Sequence, residues 1–367
     1  MSSPATPAAG VAKIRALGPD DLGAIRQMLS QRDGREWDER STRWFLYNLD
    51  PARCLAWGAF IGEKPVGLTS TFLRTLTVRG DIQRVAYWAN LYVDPEYRDQ
   101  MLYPRLPMTM LNALKPLGIE MLYAPVRLPQ LTKAHLGLGF AKIGTMPVLV
   151  RPLRPARFIC KYKKLGWAKP LAGPVDLLFR AGLAVTSARP GAGMQIGDGR
   201  LEEATTERLN AVARLLAERS EGRIAQGWNA NLLRERYGQT REGGSYRLAA
   251  SERDGELTAA AIYRFAERGD GIQVGVLMDL AFRSGAGRDA AAALRAVERA
   301  TLAADGELLI YLDGLGDANR ELLKRRGFRV SPEVYEFLVW PKKLAANDDW
   351  FGAWDRWEFS FRDHDAF

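Results

Sequence analysis

The sequence predicts a mixed α/β (α+β) protein built from two similar domains in tandem. Three observations carry that prediction. The 367 residues exceed the roughly 250–300 at which one hydrophobic core stops growing. Strand-like and helix-like runs follow one another twice in the same order. Two markers also recur at one spacing: Gly118-Ile-Glu-Met-Leu-Tyr123 is echoed by Gly306-Glu-Leu-Leu-Ile-Tyr311, and Gly139-Phe140 by Gly327-Phe328, each 188 residues on. A duplicated unit accounts for both matches at once.

The first copy is expected over 12–152. A strand at 12–17 leads into a helix opened by Pro19, Asp20 and Asp21, whose carboxylates suit the positive end of a helix dipole. A second helix is expected over 39–49, then strands at 54–61, 65–77 and 85–93, separated by Gly-Glu-Lys-Pro and Arg-Gly-Asp turns. A helix over 104–117, a strand, a short helix and a last strand at 141–151 complete the unit.

The second copy, 194–341, repeats the order. Its strands are expected near 195–204, 246–251, 257–265 and 275–281, with helices over 205–219, 229–237 and 287–303, the last rich in alanine, the best helix former. Between the copies, 153–193 reads as a structured connector of two helix-sized pieces broken at Gly173-Pro174, since the Gly/Ser-rich composition of a flexible linker is missing. Residues 1–11 read as a disordered lead, without the basic and apolar regions of a signal peptide. In the tail, 342–367, Trp350, Phe351, Trp354, Trp357, Phe359 and Phe361 are too dense for a solvated segment, so the tail is expected to pack on a domain.

Composition narrows the function classes. No apolar run approaches the ~20 residues of a bilayer span, and a cytoplasmic location is expected. The two cysteines, Cys54 and Cys160, argue against a disulfide framework or a thiolate metal site. With only His135 and His364, a multi-histidine metal centre is ruled out by counting, so no metal is expected. The formal charge of +9 is concentrated in one stretch, where Arg151, Arg154, Arg157, Lys161, Lys163, Lys164, Lys169, Arg180 and Arg189 face the single acid Asp176. Such a patch attracts phosphate-bearing partners without choosing among them.

At Val93-Asp94-Pro95-Glu96-Tyr97-Arg98 the chain resembles the GCN5-related N-acetyltransferase family, whose fourth strand ends in Val-x-Pro-x-Tyr-Arg before a glycine-rich turn and a helix. The Gly-Phe pair before the last strand fits the same pattern. The resemblance covers about 12–152 and, more faintly, about 194–341. It implies in each domain a mixed, mostly antiparallel twisted sheet flanked by helices, and acetyl-CoA or another acyl-CoA as co-substrate. Free N–H groups at a helix N-terminus, with the helix dipole behind them, are suited to its diphosphate.

The family writes that turn Arg/Gln-x-x-Gly-x-Gly/Ala. The first copy reads Arg98-Asp99-Gln100-Met101-Leu102-Tyr103, with both glycines lost and Pro104 following. The second reads Phe282-Arg283-Ser284-Gly285-Ala286-Gly287, which keeps the glycines and loses the leading Arg or Gln. Cofactor contacts are therefore expected from Leu91 and Val93 on the strand, from residues 98–103, and from Gly285 and Gly287.

Acyl transfer to an amine needs a general base and a general acid. The family often places a tyrosine acid five residues before the Phe of the Gly-Phe pair; His135 stands there in the first copy and Leu323 in the second. Histidine can move protons near neutral pH and leucine cannot, so the first copy is the better catalytic candidate. Asn90 and Tyr92 on the preceding strand are the other candidates, near Tyr87 and Trp88, with Glu96 and Glu120 as carboxylates should they face a cleft. The leading expectation is an acyl-CoA-dependent N-acyltransferase, an N-acetyltransferase first, acting on a small-molecule amine such as an amino sugar or polysaccharide precursor, with no nucleic-acid partner. A Fem-type transferase using aminoacyl-tRNA and a non-catalytic acyl-CoA-binding protein are the alternatives. In the connector, Phe158, Ile159, Tyr162, Leu165 and Trp167 form an apolar stripe beside Lys161, Lys163 and Lys164, which reads either as a helix packed across both domains or as a weak membrane-surface contact.

Overall fold

The computed structural model describes residues 11–186, 194–238, 245–268 and 270–363. Most of the expected lead, together with Arg189 and His364, lies outside them. The chain folds into two compact units. The first comprises residues 1–76, 82–143 and 337–352, the second 77–81, 144–336 and 353–367.

In the first unit the strands are β1 (Lys13–Leu17), β2 (Cys54–Ile61), β3 (Lys64–Val78), β4 (Asp81–Val93) and β5 (Leu122–Val126), with helices α1 (Leu22–Asp33), α2 (Glu39–Phe45), α3 (Leu102–Leu114) and α4 (Pro129–Gly137). β1–β2 and β2–β3 are antiparallel, whereas β4–β5 is parallel. The amphipathic α3 drives Leu102, Leu106, Met110, Leu111 and Leu114 into a core with Trp57, Val66, Ala86, Trp88 and Phe140.

Alternation along β4 slips by one residue. Ala86 and Trp88 face the α3 core, and so do Leu91 and Val93. Such a parity change marks an inserted residue. The hydrogen bonds agree: the Asn90 carbonyl accepts from the side chains of Thr69 (3.0 Å) and Trp88 (3.0 Å).

The second unit contains β6 (Ala141–Pro152) from Gly144 onward, β7 (Met194–Arg200), the two-residue β8 (Ala225–Gln226), β9 (Arg247–Arg253), β10 (Glu256–Glu267), β11 (Gln273–Phe282) and β12 (Leu308–Leu312). The order β6-β12-β11-β10-β9-β7 is antiparallel except for β11–β12. Its helices are α5 (Pro155–Tyr162), α6 (Lys169–Thr186), α7 (Thr206–Arg219), α8 (Ala230–Tyr237), α9 (Gly287–Ala303) and α10 (Arg320–Arg325). Alanines of α9 lie in the core against β9, β10 and β12. The register of β10 on β11 skips Met278, so this strand also bulges, and Met278 stands 188 residues after Asn90.

The last strand, β13 (Arg329–Trp340), has its end in the first unit, beside β5. Phe72, Tyr87, Tyr123 and Phe337 form an aromatic file across β3, β4, β5 and β13, with successive centroids 5.9, 5.4 and 5.6 Å apart. Leu338 enters the α3 core. Two short helices, α11 (Lys342–Asn347) and α12 (Asp349–Gly352), follow.

The aromatic tail packs as expected: Phe351 is buried in the first unit, and Trp357, Phe359 and Phe361 in the second. The connector departs from expectation. Its break falls at 163–168, where Lys164 has a left-handed φ of 54°. Gly173 and Pro174 lie inside α6. Pro174 forfeits one bond, to the Pro170 carbonyl near the helix start, and both residues are exposed, so water can serve that carbonyl.

Candidate functional site

Two features single out the first unit. β4 and β5 pair only at Ala86–Leu122 and Tyr87–Tyr123, while β4 runs on to Val93. Beyond β4, Asp94 accepts from the Glu96 amide at 3.0 Å and so caps a short 3-10 segment, Pro95–Gln100, kinked at Tyr97, after which the chain enters α3.

The entry to α3 keeps the geometry that the lost glycine would have supplied. Met101 holds φ 54°, ψ 30°, a left-handed conformation that costs a non-glycine residue ~1–2 kcal/mol. α3 then begins without a side-chain cap and without an acid in its first turn. Three other helices are closed by side chains, α2 by Asp38, α7 by Thr205 and α8 by Asn229, whereas α1, α4 and α10 share the uncapped start of α3. Uncapped N–H groups on the positive end of a 13-residue helix suit an anion. Arg98 and Asp99 are exposed beside the turn. Gln100 faces the other way, accepting from the Ala12 amide at 3.2 Å, and Arg105 holds the Ala12 carbonyl at 2.9 Å. Leu102 is a core residue, so only its backbone can take part in binding.

The matching turn of the second unit has the same backbone and the opposite electrostatics. Gly285 is left-handed at φ 80°, and α9 begins at Gly287 without a side-chain cap. Its first turn carries Asp289, which is buried and paired with Arg253 at 2.9 Å. A carboxylate already stands at that helix terminus.

The place where β11 and β12 part is also filled. Pairing ends at Leu277–Tyr311. Past it the Met278 carbonyl accepts from the Arg362 amide (3.0 Å), and the Leu280 carbonyl from Asn319 (2.8 Å) and Arg219. Arg219 and Arg362 share Asp279 and Glu358 in a buried network. Burial opposes ionisation of Glu358, but the two guanidiniums outweigh it and hold the carboxyl at about 2. A Cβ on Gly314 would overlap the Phe359 carbonyl, so glycine is what lets the tail approach β12.

The three expected catalytic residues do not share one environment. His135 is 4% exposed and stacks on Trp88 at 4.3 Å, on the α3 side of the sheet. Its Nδ1 lies 2.7 Å from the Leu131 carbonyl, which can only accept, so that nitrogen carries the proton. Burial pushes the imidazole down to about 4, the Leu131 contact offsetting part of the shift. At neutral pH the ring is uncharged. Asn90 and Tyr92 point to the opposite face: Asn90 is buried and bonded to Ser70 (2.7 Å) and Arg32, and the Tyr92 hydroxyl reaches Gln31 (3.3 Å). Leu91 and Val93 turn their side chains into the core. Glu96 and Glu120 are exposed, Glu96 within 3.4 Å of Lys64.

Sequence reasoning placed Tyr103 among the cofactor contacts and gave it no proton-moving role. Its hydroxyl lies 3.3 Å from His135 Nδ1, and burial pushes its pKa up to about 12. The signal was available: Tyr103 supplies the side chain type that His135 replaces, from a different helix.

No family model and no curated relative matches the sequence. Solved structures do match. A GCN5-related N-acetyltransferase from Anabaena variabilis is 10% identical over 89% of this chain and 72% of its own, with a TM-score of 0.59. A probable N-acyltransferase from Enterococcus faecalis is 11% identical over 89% and 72%, with a TM-score of 0.58. N-myristoyltransferase of Saccharomyces cerevisiae with bound myristoyl-CoA is 15% identical over 92% and 80%, at 0.60. At such identities the likeness establishes the fold: this is a GCN5-related N-acetyltransferase-like α/β architecture, with a mostly antiparallel sheet flanked by helices. Among the described residues, no helix is long and apolar enough to cross a membrane.

Proposed function

We propose that the chain is an acyl-CoA-dependent N-acyltransferase acting on a small-molecule amine, with the thioester held by the first unit. The contrast between the two copies of one turn carries this reading. At α3 the terminal amides are uncapped and no acid stands in the first turn, with Arg98 and Asp99 exposed just before it, whereas at α9 the buried Asp289 stands in the first turn. The Leu102 and Tyr103 amides, with Arg98, are the groups assigned to the diphosphate.

When bound, acyl-CoA supplies an acyl group activated as a thioester. The chain's own contribution is placement and proton handling. With a pKa near 12 the Tyr103 hydroxyl stays protonated at neutral pH, and it is the proton donor in this reading. The single Nδ1 proton of the neutral His135 is turned to the Leu131 carbonyl, so this nitrogen takes no proton from the Tyr103 hydroxyl 3.3 Å away, and that hydroxyl is left free to donate. The face carrying Tyr92, Gln31 and Arg32 is the polar surface assigned to the amine. Support for a thioester donor comes from the fold neighbours, one of which carries myristoyl-CoA.

Calorimetric titration with acetyl-CoA and longer acyl-CoAs, followed by thiol release on a panel of amines, tests the proposal. One bound acyl-CoA per chain and thiol release with at least one amine are expected. Failure to bind any acyl-CoA would remove the proposal, and binding without turnover on any amine would replace it with a carrier role.

A further inference from the structure

Among the described residues, the connector helices present an apolar face that nothing in the second unit covers. Asp176 of α6 is 3% exposed and accepts from the Ala156 (2.8 Å) and Arg157 (3.2 Å) amides at the start of α5. Ala172, one turn earlier on the same face, is also buried. This face of α6 is consumed by the hairpin. One flank beside it carries Leu171, Val175 and Leu178 at helical spacing, Leu177 lies toward the other flank, and all four are exposed, Leu178 by 74%. Trp167, between the helices, is 78% exposed, and Ile159 of α5 is exposed as well.

Charge decides what could cover such a surface. Part of the basic patch read from the sequence is spent internally: Arg151 pairs with Glu298, Arg154 and Arg157 with Asp305, and Lys161 with Glu307. Lys163 and Lys164 are exposed at the edge of the apolar face. The single acid between 155 and 178, Asp176, is the buried one. Within 155–178 the exposed surface is thus apolar with a cationic edge, and the neighbouring acid Asp305 is taken up by Arg154 and Arg157. A second copy of the same surface would bring like charges together, whereas anionic lipid offers hydrocarbon and phosphate in the matching layers.

We propose that the α5–α6 hairpin rests on an anionic bilayer surface, with Leu171, Val175, Leu178 and Trp167 in the headgroup boundary and Lys163 and Lys164 at the phosphates. The inference stands apart from the acyl-transfer reading, since it uses none of the residues assigned to that site.

Flotation of the full chain with vesicles of neutral phosphatidylcholine, and of phosphatidylcholine with one-fifth phosphatidylglycerol, tests it. Binding is expected to the anionic vesicles at low salt, with a blue shift of tryptophan emission and release as salt rises. Lys163→Glu with Lys164→Glu should weaken binding by at least about 20-fold. Leu171→Glu with Leu178→Glu should abolish it while leaving the thermal midpoint unchanged, because both side chains are exposed in the fold. The proposal is overturned if anionic vesicles leave the chain unbound at low salt, if either double variant binds like the parent, or if light scattering shows a dimer that Leu171→Glu with Leu178→Glu dissociates.

Discussion

Arg362 donates its backbone N–H to the Met278 carbonyl at 3.0 Å, so the tail of the chain satisfies the bulge of β11. The guanidinium of the same residue, fully buried, reaches Asp279 at 2.7 Å and Glu358 at 3.0 Å. Removing it leaves buried carboxylates short of a partner. Arg362→Met should therefore cost about 3–5 kcal/mol in urea unfolding, the usual range for breaking a buried pair from one side. A cost below about 1 kcal/mol would mean that Arg219 alone holds the network.

Met101 gives a second prediction. It occupies a left-handed position and is largely exposed, so little packing is lost on truncation. Met101→Gly should stabilise by up to about 1 kcal/mol, and Met101→Val should destabilise by a similar amount, because branching at Cβ worsens the left-handed strain. Thermal unfolding of the pair, read together with acyl-CoA affinity, checks this: glycine should keep the affinity and valine should lower it.

The repeat and most elements were legible in the sequence, because local periodicity and turn residues encode them. The 188-residue offset even places Met278 opposite Asn90. Less legible was what fills each copy. Nothing local in Phe337 or Leu338 tells that they complete the first unit's sheet and core, since strand partners are chosen by long-range burial. The aromatic tail announced that it packs but not that Arg362 plugs the gap beside β11. His135 was visible as a titratable residue at a family position; its burial against Trp88 depends on how α4 returns to the sheet. The turn at Met101 lost its glycines in sequence yet kept the conformation that they favour.

His135 makes stability depend on pH in a stated window. Its folded pKa of about 4 lies below the ordinary 6.5 of the unfolded chain. As pH falls from 6.5 to 4 the unfolded chain takes up the proton and the folded chain does not, so stability falls by about 3 kcal/mol across that range. The stability of the parent relative to His135→Phe should fall by about that amount between pH 6.5 and 4. Parallel curves would place the imidazole in contact with solvent.

Tyr103→Phe separates proton delivery from binding. The ring and its packing remain and only the hydroxyl near His135 is lost. Turnover should drop by about 100-fold or more with acyl-CoA affinity unchanged. An equal loss in both would recast Tyr103 as a binding residue.

The central assignment is that a single turn, the one before α3, holds the diphosphate. Calorimetry of acyl-CoA on the intact chain, on Arg98→Ala and on Arg283→Ala measures this most directly. One site per chain is predicted, weakened about 10-fold or more by Arg98→Ala and untouched by Arg283→Ala. Two sites per chain, or a loss confined to Arg283→Ala, would contradict it.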